Sequence, residues 1–180
     1  YSKQAFYLTF DITRQLNTGQ NVLGVLLGNG FYYIPSQRYR KMTGGWGYPK
    51  LIAKTLIEFT DGSHEMIVSD ESWKAAPSPV VFSSMFGGED YDANKEQPGW
   101  DRPGFKDAGW QQAVTVSGPP VLLAEIQEPV KIKQRFTAGA ARQLKPGVQV
   151  YDLKQNFSVI PSIQLRGNKG DTVRLFAAEL

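Results

Sequence analysis

Apolar and polar residues alternate from the start of the chain, with Phe6, Leu8, Phe10 and Ile12 falling between Ala5, Tyr7, Thr9 and Asp11. A period of two describes a strand with one buried face. A turn is expected at residues 16–21. The apolar run 22–27 is short and flanked by glycine, which predicts a buried strand rather than a helix. Residues 51–60 resume the strand pattern, Asp61-Gly62 is a hairpin signal, and 64–68 form the return strand. Further short strands are expected at 80–84, 113–116 and 121–126. After the breakers Gly118-Pro119-Pro120 and Glu128-Pro129, more follow at 130–136, 148–153, 157–166 and 172–177. No amphipathic helix of ordinary length fits anywhere, although single helical turns are expected near 13–16 and 105–110. The pattern predicts an all-β chain, a β-sandwich or jelly roll. A boundary is expected near 127–129, with one sandwich over 1–127 and the first strands of a second β-domain over 128–180.

Composition narrows the partners. Hydrophobic residues make up 41% of the 180 and charged residues 21%, a balance that suits a packed core rather than a disordered chain. Twenty basic residues oppose 17 acidic ones, a formal charge of +3. The densest basic cluster is only Arg38, Arg40 and Lys41, so general binding to nucleic acid is not expected. No apolar stretch approaches the roughly 20 residues of a membrane span. The absence of cysteine excludes disulfides, thiolate metal sites and a cysteine nucleophile. The chain opens on Tyr1 and stops at Leu180 inside an apparent strand, so it is expected to be part of a longer polypeptide.

Candidate chemistry is sparse. His64 is the single histidine, and no Gly-x-Ser-x-Gly elbow accompanies it, so a Ser–His–acid site is not expected. The densest acidic cluster is Gly87-Gly88-Glu89-Asp90-Tyr91-Asp92-Ala93-Asn94, followed by Glu96. Neighbouring carboxylates on one extended segment point to opposite faces, which suits a structural turn or an oxygen-rich cation or sugar contact better than a general acid–base pair. The least ordinary segment is 28–49, from Gly28-Asn29-Gly30-Phe31-Tyr32-Tyr33 to Gly44-Gly45-Trp46-Gly47-Tyr48-Pro49. A loop beyond about 15 residues is usually functional or disordered, and this one is rich in aromatics. Aromatic faces beside amides and arginine are what a sugar ring needs. The same parts could stack bases, or could cover the end of a sandwich. Trp100 and Trp110, in 98–110, read as a corner packed on the core.

The ordered series of motifs resembles the amino-terminal β-domain of bacterial α-L-rhamnosidases. It comprises Thr9-Phe10-Asp11-Ile12-Thr13, Gln20-Asn21-Val22-Leu23-Gly24-Val25, Leu27-Gly28-Asn29-Gly30-Phe31-Tyr32, Asp61-Gly62-Ser63, Asp70-Glu71-Ser72-Trp73-Lys74 and Gly88-Glu89-Asp90-Tyr91-Asp92-Ala93. Pro98-Gly99-Trp100 and Gly104-Phe105-Lys106-Asp107-Ala108-Gly109-Trp110 continue in register. Tyr151-Asp152-Leu153-Lys154-Gln155-Asn156-Phe157 resembles the start of the next β-domain, with departures at Lys154 and across 158–161. The resemblance implies a parent hydrolase of the bacterial periplasm or exterior. That parent is an inverting glycosidase that removes terminal α-L-rhamnose from glycans, its acidic residues sitting in an α/α-barrel. The barrel's Arg-Asp-Glu-Arg type motif is absent, so no catalytic residue is carried over and this chain alone is expected to be no enzyme. The implied partners are a rhamnose-containing glycan and the parent's catalytic domain. In some relatives this domain binds rhamnose through a bridging calcium. On that basis carbohydrate contacts are expected at Asn29, Tyr32, Tyr33, Arg38, Trp46 and Tyr48. Calcium ligands are expected at Asn29, Glu89, Asp90 and Asp92.

Overall fold

The computed structural model describes residues 3–36, 38 and 44–177. Tyr1, Arg40, Lys41 and Leu180, singled out in the sequence, lie outside these. The chain is all-β, with the fold of a β-sandwich domain, and divides into two compact units, Tyr1–Gln127 and Glu128–Leu180.

In the first unit, β1 (Ala5–Tyr7) leads to a 3-10 turn at Thr13–Gln15, started by the Thr13 N–H donating to the Asp11 carboxylate at 2.9 Å. Two short strands, β2 (Tyr33–Ile34) and β3 (Gly44–Gly45), bracket the aromatic loop. Next come β4 (Lys54–Glu58) and β5 (His64–Val68), a hairpin turning at the expected Asp61-Gly62 with Lys54 opposite Val68 and Glu58 opposite His64. The Asp61 side chain braces that turn by accepting from the N–H and hydroxyl of Ser63.

After β6 (Lys74–Ala75), strand β7 (Val80–Ser84) pairs with β8 (Gly88–Tyr91), and a register shift lies between Val80 and Phe82. The buried Ser84 hydroxyl closes this hairpin by accepting from the N–H groups of Phe86 and Gly87. A second 3-10 turn, Ala93–Lys95, precedes β9 (Gln111–Gln112), which pairs with β6. Finally β10 (Leu122–Ala124) returns to lie parallel to β1. The second unit holds one hairpin, β11 (Arg142–Lys145) with β12 (Val148–Val150), and a Phe136–Phe157 ring pair 4.5 Å apart.

Several expectations are corrected. Run 22–27 is neither a strand nor buried: Leu26 is 66% exposed. No strand lies alongside it, and its residues serve other elements instead. Gly24 abuts the Trp100 ring, where an added Cβ would come within 2.6 Å, and Leu26 and Leu27 wall a cleft. Of the acidic segment 87–94, residues 88–91 form a strand, folded back on β7 by the Ser84 bracket, and the turn begins only at Asp92. The strand expected at 113–116 is realised at 111–112. Segments 130–136, 157–166 and 172–177 form no ladder, and in place of the helical turn expected at 105–110 there is one hydrogen-bonded turn, the Trp110 N–H donating to the Asp107 carbonyl at 2.9 Å.

Among the described residues all the ladders are two-stranded. Among the described residues only Ile34, Pro35 and Ser84 are buried. The chain exposes 16680 Å², about twice what a closed monomer of its mass leaves to water. Strand faces such as Leu56 opposite Met66 therefore stand open, both residues more than half exposed. No helix among the described residues is long and apolar enough to cross a membrane.

Candidate functional site

The aromatic loop begins with a tight turn. The Asn29 carbonyl accepts from the N–H groups of Tyr32 and Tyr33, at 3.1 and 3.2 Å. The Asn29 amide donates across the fold to the Ser83 carbonyl at 2.8 Å, tying the turn to β7. On the far side of the loop the Trp46 N–H donates to the Tyr32 carbonyl at 3.0 Å. Only glycine fits at position 45 here, because a Cβ there would sit 2.5 Å from the Tyr32 carbonyl oxygen. The close backbone approach brings rings together in pairs: Tyr32 with Trp46 at 6.1 Å, and Tyr33 with Tyr48 at 5.3 Å. Trp46 and Tyr48 remain 58% and 75% exposed.

Arg38 joins the loop to the acidic strand. Its guanidinium forms an ion pair with Asp90 and lies 4.3 Å over the Phe82 ring. Its backbone is left-handed, at φ 69°. That conformation costs a side-chain-bearing residue about 1 kcal/mol, an amount comparable to an exposed cation–π contact.

Between these parts lies a cleft of about 320 Å³. One wall is Leu26, Leu27, Gly28 and Asn29, with Tyr33 and Pro35. The other is Ser78 and residues 80–83, with Glu89. The lining is apolar and polar in nearly equal measure, the polar groups including the Asn29 amide, the hydroxyls of Tyr33, Ser78 and Ser83, and the Glu89 carboxylate. That is the make-up of a small-molecule site, at the lower end of the usual size of roughly 300–1,000 Å³.

Of the residues expected to contact a sugar, the structure places Asn29 and Tyr33 on the cleft. Tyr48 packs on Tyr33, and Arg38 packs on the lining ring of Phe82. Tyr32 and Trp46 form a separate pair beside β2 and β3. The expected calcium ligands are not gathered. Glu89 lines the cleft with Asn29, whereas Asp90 is engaged by Arg38. Asp92 caps the second 3-10 turn, accepting from the Asn94 N–H at 3.0 Å and its amide at 2.9 Å. Among the described residues no three His, Asp or Glu side chains form a group able to hold a metal. A calcium ion takes six to eight oxygens, so these four residues do not fit a resident calcium site.

Hydrogen bonding sets the titration of the neighbours. The Asn94 side chain holds the Asp92 carboxyl below the ordinary aspartate value. Tyr91 donates to Glu96 at 2.6 Å, and this bond to a carboxylate raises the phenol above its ordinary value. His64 lies exposed on β5, opposite Glu58.

The apolar wall of Leu26, Leu27 and Val80–Phe82 was missed by sequence reasoning. Both runs carry the signature of strand core, and nothing in a linear pattern shows that two such runs face each other across a gap.

The first 134 residues match the family model of the α-L-rhamnosidase N-terminal domain. An α-L-rhamnosidase of Streptomyces avermitilis is 36% identical over 193 aligned residues, covering all of this chain and 18% of that protein. One from Formosa agariphila is 29% identical, covering 99% of this chain and 19% of that protein. Among solved structures, the α-L-rhamnosidase from Dictyoglumus thermophilum superposes with a TM-score of 0.75 at 38% identity, over 87% of this chain and 17% of that one. The Streptomyces avermitilis enzyme complexed with L-rhamnose gives 0.69 at 32% identity, over 84% and 15%. The chain thus spans about a fifth of the length of the curated relatives it matches.

Proposed function

The chain belongs to the α-L-rhamnosidase N-terminal domain family, and on that premise we propose that it is a non-catalytic β-sandwich region of an α-L-rhamnosidase-like glycoside hydrolase. Its parent removes terminal α-L-rhamnose from glycans, and this region supports or orients a catalytic domain elsewhere in that parent. The observation that carries the reading is coverage: essentially the whole chain aligns within 18–20% of each of several rhamnosidases. The disposition of the acids supports it. Asp90 is held by Arg38 and Asp92 by Asn94, which leaves Glu89 without a second carboxylate lining the cleft. A glycosidase needs two, roughly 5–10 Å apart. The test is an aryl α-L-rhamnoside assay on the purified 180-residue chain. No turnover is expected, and turnover that disappears in E89Q would overturn the reading.

A second reading, an autonomous rhamnose-binding module, is favoured by the cleft that Asn29, Tyr33 and Glu89 line. Titration calorimetry with L-rhamnose, with and without calcium, tests it. Saturable heat lost in N29A and E89Q is expected. Absence of heat under both conditions would leave the structural role alone.

A further inference from the structure

The formal charge of +3 conceals an uneven division. Residues 1–127 carry 11 basic and 13 acidic side chains, a formal −2. Residues 128–180 carry nine basic and four acidic, a formal +5. The acids of the second unit are already engaged. Glu128 reaches Lys131 at 3.5 Å, Asp152 takes Lys154 at 2.8 Å, and Asp171 accepts from the Asn168 N–H at 2.7 Å. Glu179 lies outside the described residues. Among the described residues of this unit, Lys133, Arg135, Arg142, Lys145, Arg166, Lys169 and Arg174 are exposed and form no ion pair.

We propose that the second unit presents a cationic surface that docks an anionic glycan, one carrying uronate carboxylates or sulfate esters. Unneutralised charge at this density repels itself, and a polyanion relieves the repulsion while releasing its own counterions. Four of these seven cations are arginines, whose planar fork meets a carboxylate or sulfate with two parallel hydrogen bonds. The choice of a glycan over a nucleic acid rests on the glycosidase-region reading above, whereas the cationic surface does not. It is also separate from the cleft of the first unit, where Glu89 is a carboxylate that suits neutral hydroxyls.

Affinity electrophoresis of the 180-residue chain tests the proposal, in gels carrying polygalacturonate, dextran sulfate, neutral dextran or single-stranded DNA. Retardation by one or both anionic glycans is expected, with none by neutral dextran, and the stronger of the two identifies carboxylate or sulfate as the group read. Raising salt from about 50 to 200 mM should weaken it markedly. The variants K133Q/R135Q and R166Q/R174Q should each bind several-fold more weakly with a shallower salt slope. K54Q/K106Q in the first unit should bind as the parent chain does. Absence of retardation at low salt overturns the proposal, as does equal weakening in K54Q/K106Q. DNA retardation matching that of the glycans would reassign the surface to nucleic acid and overturn the choice of partner. Rhamnose calorimetry is independent, because it reads the first unit, so a silent rhamnose titration with intact polyanion binding separates the two outcomes.

Discussion

The corner around Trp100 and Trp110 and the loop around Trp46 draw on the same residue types, glycine, tryptophan and a polar partner, yet treat their rings differently. At the corner the two indoles stack at 6.3 Å and 28°, and Phe105 meets Trp110 edge-on at 5.7 Å. Gln97 accepts the Trp110 indole N–H at 2.7 Å and donates its amide to the Pro77 carbonyl at 3.3 Å. Gly24 closes the back, with no room for a methyl group. At the loop Tyr32 packs on Trp46 and Tyr33 on Tyr48, Trp46 and Tyr48 stay mostly exposed, and an exposed Arg38–Asp90 pair joins the loop to the acidic strand. The lesson is that aromatic content does not separate packing from binding. What separates them is how much of each ring the neighbouring chain covers: Trp100 and Trp110 are half-buried, whereas Trp46 and Tyr48 are exposed.

The comparison can be broken most sharply at tryptophan. Trp100→Ala should cost about 3 kcal/mol of unfolding free energy in a urea titration, the low end for a large aromatic since the ring is only half-buried. Trp46→Ala should cost below about 1 kcal/mol; equal losses would erase the distinction. Gly24→Ala tests the same corner from behind. Its methyl would press on the Trp100 ring, and about 1–3 kcal/mol should be lost. Gln97→Ala removes one indole partner and one backbone tie, for about 1 kcal/mol.

On the loop side, Arg38→Ala should lower stability by about 1 kcal/mol or less, because the ion pair is nearly half exposed on both sides and salt screens it. The effect should shrink further in concentrated salt.

The smallest effect concerns acid. Asp61, Asp70 and Asp92 are held below the ordinary aspartate value by side-chain hydrogen bonds from Ser63, Ser72 and Asn94. A depressed folded value means their contribution is complete above the unfolded value near 3.9 and is lost as pH falls through the lower folded values. The D61N/D70N/D92N variant should therefore show a flatter stability profile than the parent chain below about pH 4. A steeper profile would assign the acid response to other groups.

How far the sequence could be read follows the same divide. The β4–β5 hairpin was legible in full, because Asp61-Gly62 is a local signal and alternation on either side needs no partner beyond the hairpin itself. The Trp100–Trp110 corner was legible for a related reason: Gln97 to Trp110 is one short stretch of chain. The cleft was half legible. Asn29 and Tyr33 stand out as residue types, but Glu89 emerged only as one of a string of acids. The alternation that sends Asp90 to Arg38 and leaves Glu89 on the cleft depends on β8 being a strand. That in turn depends on the Ser84 bracket, which a pattern of apolar positions does not reveal. Run 22–27 misled because an apolar stretch looks the same whether it pairs in a sheet or lines a gap.

The parallel pairing of β1 with β10 has a consequence for how the chain is made. Ala5 finds its partner in Leu122, near the other end of the first unit. At about 5–20 residues per second, a ribosome needs roughly 6–23 seconds to deliver that partner after Ala5. Throughout that interval Ala5, Phe6 and Tyr7 wait for Leu122, Leu123 and Ala124. The local β4–β5 hairpin, which forms in about 1–10 microseconds, is in place long before. Synthesis therefore completes the β1–β10 ladder long after the β4–β5 hairpin, and residues 5–7 are a segment that a chaperone shielding unpaired strands would hold in the meantime.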